Sequence, residues 1–253
     1  RSWLAPGGLL GDLSELTGLQ EQVLANIAPL DPSSTLEAIK RAVDGPQGEQ
    51  LLNSRSSLRS RHVELIRLIA FDPTLFDACI ELLIRFALAE PSDSRNNSTR
   101  GVINSLFQIY LSGTHAPTEQ RANWLQALLG SGAADIRAIA LDALSVALEC
   151  HHLSSHYGFE FGARVRDYGA YPRGADAREW VATFINIAVD LATGGGPMAE
   201  RARDMLGQHF RSLWTMARAL DPLEAATAAL LPGGWEQGWL AIRQTLSFDG
   251  KNG

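Results

Sequence analysis

Cysteine is scarce in this chain: 253 residues hold only Cys79 and Cys150, and neither has a CxxC partner. That excludes a zinc ribbon and a thioredoxin-like redox site. The pair is expected as two thiols rather than a disulfide, since a lone pair in a chain of this size is more often buried and reduced. Long apolar runs are missing too. None approaches the roughly 20 residues that span a bilayer, so no membrane is expected among the partners. The opening segment RSWLAPGGLLGDLSEL lacks the charged region and separate apolar core of a signal peptide. The chain starts at Arg1 rather than Met and stops at FDGKNG, just after a helical pattern, which suggests a fragment of a larger cytoplasmic protein.

Positive charge is also in short supply. The formal net charge is −6, which argues against a nucleic-acid surface over the whole chain. Arginine far outnumbers lysine, and basic clusters are local, at Arg55, Arg59 and Arg61 and at Arg164, Arg166 and Arg173. Catalytic signatures are missing as well: there is no GxSxG, HExxH or DxDxDG. Gly194 to Pro197 is glycine-rich before a helix, but it has neither the Lys-Ser/Thr of a phosphate loop nor a preceding strand. No cofactor is expected.

What is present is helical periodicity. The apolar fraction of 45% is that of an ordinary globular chain. Nearly every long segment repeats its apolar residues by three and four. Helices are expected near 12–28, 57–70, 74–89, 99–111, 117–129, 134–149, 176–192 and 197–219, with shorter ones at 222–230 and 235–246. A short helix after Ser33 or Ser34 carries Leu36, Ile39 and Val43. The apolar face of 74–89 is wide, which predicts burial on more than one side. PSDSRNN, from Pro91 to Asn97, reads as a polar linker.

Asp-Pro follows an apolar residue at Leu30-Asp31-Pro32, Phe71-Asp72-Pro73 and Leu220-Asp221-Pro222. Aspartate is expected to cap each following helix, with proline at the first helical position. The prolines at 32, 73 and 117 lie 41 and 44 residues apart, within the period of HEAT and armadillo arrays. The expected fold is therefore all-α: a solenoid of stacked antiparallel helix pairs, interrupted by one ordered loop rich in aromatics and arginine. The expected divisions are a helical-repeat block at 1–150, that loop at 151–175 and a second block at 176–253.

The loop reads HYGFEFGARVRDYGAYPRG from His156 to Gly174. Its glycines and Pro172 forbid a regular helix, and its aromatics argue for packing. Arg164, Arg166, Asp167, Tyr168 and Tyr171 form the candidate binding site, since paired arginines can hold a phosphate or carboxylate by forked hydrogen bonds. The bland reading stacks those arginines on nearby rings and pairs them with acids, which fixes the loop. Cys150, His151, His152 and His156 form a second cluster, with His152 and His156 at i and i+4 as metal ligands often are. No acid or cysteine completes that set at a recognised spacing, and histidines also suit a helix C-terminus. An all-α, metal-dependent enzyme built on His151, His152 and His156 is the alternative reading. Near the end, Trp235, Trp239, Ile242 and Leu246 form a stripe. It is expected to pack as a terminal helix, or to meet a further repeat.

Four phrases carry a resemblance: LANIAPLDP (24–32), LFQIYLSGTHAPTEQR (106–121), FGARVRDYGAYP (161–172) and WEQGWLAIRQTL (235–246). Together they resemble the helical-repeat region that follows the ATPase in large bacterial STAND-type signal-transduction proteins, many of which act in phage defence. The resemblance implies a sensor or scaffold region without the nucleotide-binding domain. It brings no catalytic residue. The function expected is a non-catalytic recognition or scaffold module, whose partner is a protein or an adjoining domain of the same chain.

Overall fold

A computed structural model describes residues 3–53, 57–90, 98–151, 153–163 and 166–248. The fold is all-α. Twelve α-helices occur among these residues: α1 (Gly18–Ile27), α2 (Pro32–Asp44), α3 (Gly48–Asn53), α4 (Ser57–Ile69), α5 (Pro73–Leu88), α6 (Thr99–Ser105), α7 (Thr118–Leu129), α8 (Ala134–Ala147), α9 (Ala175–Thr193), α10 (Pro197–Thr215), α11 (Leu220–Leu230) and α12 (Glu236–Phe248). Among the described residues no strand forms, and Phe161 is a single bridge residue. No described helix is long and apolar enough to cross a membrane. The expected linker at 91–97 lies outside the described residues.

The chain divides into two compact units that interleave in sequence. Unit 1 holds residues 1–106, 112–116 and 155–170; unit 2 holds 107–111, 117–154 and 171–253. These limits differ from the expected blocks at 1–150 and 176–253. Residues 155–170 of the loop fall in unit 1 and residues 151–154 in unit 2; within unit 1, Tyr168 O accepts from Gly113 N and Ala170 N donates to Thr114 O.

In unit 1, α5 is the central helix and touches α2, α3, α4 and α6. Phe76, Cys79, Leu82, Leu83 and Phe86 are all buried, as the wide apolar face predicts. In unit 2, α9 plays that part against α7, α8, α10 and α11, with Trp180 and Phe184 fully buried. Both cysteines are free; Cys79 is buried and Cys150 half-buried.

The helix starts follow local hydrogen bonding. Asp31 accepts from the Ser34 amide at 3.1 Å, and Asp72 from the Thr74 amide at 2.9 Å. Both lie before a proline at the first helical position. The third Asp-Pro behaves otherwise: α11 begins at Leu220, capped without a side chain by Ala219, so Asp221 falls in the first turn. There it still faces the positive end of the helix dipole.

Helix α1 starts six residues later than the periodicity at 12–28 predicts. Thr17 and Gln20 form a reciprocal capping box, which fixes the start there. Asp12 instead closes a turn on the Ser14 amide. The register changes with it, leaving Leu19 exposed while Leu13 is buried from the loop. Helix α6 stops at Ser105 rather than near 111, where the Ser105 hydroxyl donates to Val102 O at 2.7 Å. Helix α10 stops at Thr215, four residues short of its expected end, and Arg218 turns the chain with φ 51°.

Candidate functional site

Most of the predicted site residues on the loop lie in unit 1, and the loop is anchored there by helix α4. The inward stripe of α4 carries Arg59, His62, Val63, Ile66 and Arg67. Three of those five side chains are polar, and each is committed.

Arg67 is 3% exposed. Its Nη1 donates to Gly158 O at 2.9 Å, and its Nε to Ser105 Oγ at 3.2 Å. The guanidinium lies over the Tyr157 and Phe159 rings at 4.7 and 5.3 Å. Its Nη2 has no hydrogen-bond partner among the described residues. Burial pulls the Arg67 pKa down to about 10, which leaves it charged at neutral pH. Among the described residues no carboxylate forms an ion pair with it; a carbonyl dipole, the Ser105 hydroxyl and ring faces carry the charge. Burial also pushes the Tyr157 phenol up, against the opposing pull of Arg67.

Arg59 is built in the same way. It donates to Leu52 O at 2.8 Å, Phe86 O at 2.7 Å and Thr99 Oγ1 at 3.0 Å, and pairs with Glu90 at 3.3 Å. The Arg59 and Arg61 cluster is therefore no basic surface patch. Arg61 is exposed beside Glu64, and Arg55 lies outside the described residues. In unit 2, Arg121 repeats the pattern: it is 1% exposed, 4.3 Å over Trp180, and donates to Gln108 O at 3.0 Å. Burial lowers its pKa to about 9.

Arg166 extends the pattern into the predicted site. It donates to Leu68 O at 2.6 Å and is sandwiched between Phe71 and Phe161, at 4.5 and 4.4 Å. Its neighbour Asp167 takes two hydrogen bonds, from the Gly169 amide at 3.0 Å and from His115 Nε2 at 2.9 Å. The His115 ring stands edge-on to Phe71 at 4.7 Å. Arg164, the other half of the expected pair, lies outside the described residues.

The backbone is fixed by two bonds. Gly113 N donates to Tyr168 O at 2.9 Å, and Ala170 N to Thr114 O at 2.8 Å. Between them Gly169 has φ 89°, and a Cβ there would lie 2.5 Å from Thr114 N. Only glycine fits that approach. Thr114 is itself held, donating from Oγ1 to Ala70 O at 2.6 Å.

Tyr168 stands on this frame with its side outward. It is 60% exposed, and its ring meets Phe159 edge-on at 5.0 Å. Beside it a groove of about 610 Å³ is lined by Glu64, Leu68, Phe159, Glu160, Arg166 and Tyr168, with glycines and Ala163 completing the wall. Tyr171 belongs to unit 2, where it packs on Tyr110 at 4.6 Å and carries Arg173 at 4.8 Å, while remaining exposed.

The histidine cluster is divided. His151 lies in unit 2, His156 lies in unit 1, and His152 is outside the described residues. Among the described residues no three His, Cys, Asp or Glu side chains stand together as metal ligands would. In unit 2, Ser145 Oγ lies 3.1 Å from His209 Nε2, a contact the sequence pattern does not announce.

The buried arginines were the residues hardest to find by pattern. Their signal is positional: Arg59 and Arg67 fall on the apolar stripe of α4, and Arg121 on that of α7 with Ala122, Leu125 and Leu128. A cation on an apolar stripe needs a partner inside. Compared with family models, curated proteins and solved structures, the chain matches none.

Proposed function

We propose that this chain is a non-catalytic recognition module: a HEAT-like helical solenoid within a larger bacterial cytoplasmic protein, serving as sensor or scaffold. The observation that carries this reading is Tyr168. It is 60% exposed at the rim of the groove that Phe159 and Arg166 also line, and a tyrosine there offers an apolar ring with a polar tip, the kind of side chain that interfaces favour. Here it is carried on backbone fixed by two hydrogen bonds, with Arg166 and Arg67 locking the segment beneath. A rigid tyrosine gives contact area at low entropy cost, which is how aromatic anchors act in protein interfaces. Arg166 and Asp167 take supporting roles in this reading, and Tyr168 makes the contact.

Adjacent helix pairs that touch, α4 with α5, α7 with α8 and α9 with α10, support stacking of the repeat kind. The STAND-type resemblance supplies the class of parent protein and the phage-defence setting. The partner is then a protein or an adjoining domain of the same chain, and the module requires no cofactor.

Affinity capture with wild type and Tyr168→Ala tests the reading. Proteins enriched by wild type are expected to fall to background with the variant, at an unchanged melting temperature. Identical captures by both proteins would overturn it.

A further inference from the structure

Unit 2 contains a second surface that the loop reading does not use. Helices α10, α11 and α12 enclose an apolar groove of about 440 Å³. Its floor is formed by Phe210 and Trp214, with rings nearly parallel at 6.2 Å, together with Leu223 and Ile242. Leu220 and Leu246 stand at its edges, and Leu246 is 55% exposed. The two hydroxyls in the lining are turned back on their own helices. Thr227 Oγ1 donates to Leu223 O at 2.7 Å, and Thr245 Oγ1 to Ala241 O at 2.8 Å. The floor therefore offers hydrocarbon and ring faces.

The exposed line continues beyond the groove. Trp239, Ile242 and Leu246 share one face of α12, by the three- and four-residue spacing of a helix. Trp239 is 56% exposed, whereas Trp235 is buried with its Nε1 donating to Arg203 O at 2.9 Å. The expected tryptophan stripe is thus half packed and half open. From Trp239 to Leu246, and from Leu220 to Thr227, each rail runs seven residues, about 10 Å at a helical rise. That length matches two turns of a docking helix with anchors at i, i+3 or i+4, and i+7.

Charge chooses between occupants. Asp221 and Glu224, three apart on α11, are the charged residues of the lining, and both are exposed. Neither makes an ion pair among the described residues. Arg211, the cation nearest in sequence to Phe210, lies over the Phe248 ring at 5.5 Å. An anionic membrane surface or an acidic helix would be repelled by such a rim. We infer that this groove takes a basic amphipathic helix, with its apolar face on Phe210, Trp214 and Leu246 and its lysines or arginines against Asp221 and Glu224. The inference rests on unit 2 alone, so it stands or falls separately from Tyr168.

The probe is a synthetic peptide of about 14 residues, long enough for several turns, with leucine at i, i+3, i+4 and i+7 and lysine elsewhere. Titrated calorimetrically against the whole chain, it is expected to bind with one-to-one stoichiometry. Leu246→Asp, at an exposed position, is expected to weaken it at least tenfold, the scale of losing one buried apolar anchor. Asp221→Asn with Glu224→Gln is expected to weaken it several-fold and to flatten its salt dependence. A peptide with the same pattern but glutamate for lysine is expected not to bind. No binding by the lysine peptide would overturn the inference. So would equal binding by a scrambled lysine peptide, or by the Leu246→Asp chain. Sedimentation showing a wild-type dimer that Leu246→Asp makes monomeric would assign the groove to a second copy instead.

Discussion

Arg67 Nη1 reaches the carbonyl oxygen of Gly158 at 2.9 Å, joining two residues 91 positions apart in the chain. That bond ties the loop to helix α4 from below, while Gly113 and Thr114 tie it from the side. The aromatic, glycine-rich loop is thus ordered by a cation it does not itself contain.

Replacing Arg67 should therefore cost stability and loop order together. Arg67→Ala removes two hydrogen bonds and two ring contacts, and opens a cavity where the side chain was buried. A loss of about 2–4 kcal/mol is expected in urea unfolding, the range of large buried truncations. Proteolysis within 155–170 should quicken in the same variant. A loss below the scatter of surface mutations, with unchanged proteolysis, would contradict the anchoring.

Gly169→Ala tests the side tie. The added Cβ would lie 2.5 Å from Thr114 N, at a φ of 89° that L-residues disfavour. Destabilisation of at least about 2 kcal/mol is expected, beyond the usual gain from restricting the unfolded chain. Gly158→Ala makes the control, because a Cβ there meets nothing within 4 Å. The two variants should melt at clearly different temperatures.

Acid should weaken the fold through His62. This ring is fully buried, and its Nδ1 sits 2.7 Å from Leu58 O. A carbonyl only accepts, so Nδ1 carries the proton and Nε2 is left bare and without a partner among the described residues. Burial lowers the His62 pKa below its ordinary 6.5, and burial lowers that of His209 as well. The folded state thus binds fewer protons than the unfolded chain below about pH 6.5. Stability is full above that pH and falls as the pH drops toward the folded-state values. The melting temperature should decrease between pH 7.5 and 5, and His62→Leu should flatten the slope. An unchanged slope would exclude His62 as its source.

The helical class, most of the helices and two of the three Asp-Pro caps were legible in the sequence, because periodicity and capping are local. Leu19, which the three- and four-residue spacing from Leu16 to Val23 puts on the apolar face, is exposed because the Thr17–Gln20 box starts the helix only after Thr17. That Tyr157 and Phe159 pack was legible from the loop's aromatic content, but what they and the nearby backbone meet was not: Arg67, Thr114 and Gly113 come from elsewhere in the chain. For Arg166 the sequence leaves two readings, a ligand-binding arginine and one stacked on nearby rings. Only the placement of Phe71 and Phe161 on either side of it, with Leu68 O in reach, makes it a support. The exposure of Trp239 beside a buried Trp235 was open for the same reason, since the stripe alone does not say how wide the neighbouring helix pair is.

Gly238 links that last point to a measurement. A Cβ at Gly238 would lie 2.0 Å from the Trp235 ring, so Gly238→Ala should expel the indole from beneath α12. A red shift in tryptophan emission and a loss of about 1–3 kcal/mol are expected, as for overpacked cores. Unchanged emission would mean that the ring does not pack there.

The central claim is that Tyr168 is a contact residue on a prepared frame. Site-specific photo-cross-linking with p-benzoylphenylalanine in place of Tyr168 tests it most directly. The comparison is the same group in place of Leu19, a highly exposed residue of α1. The account predicts discrete protein adducts from position 168 and only diffuse background from position 19. The same pattern from both positions, or no adduct at 168 above background, would contradict it.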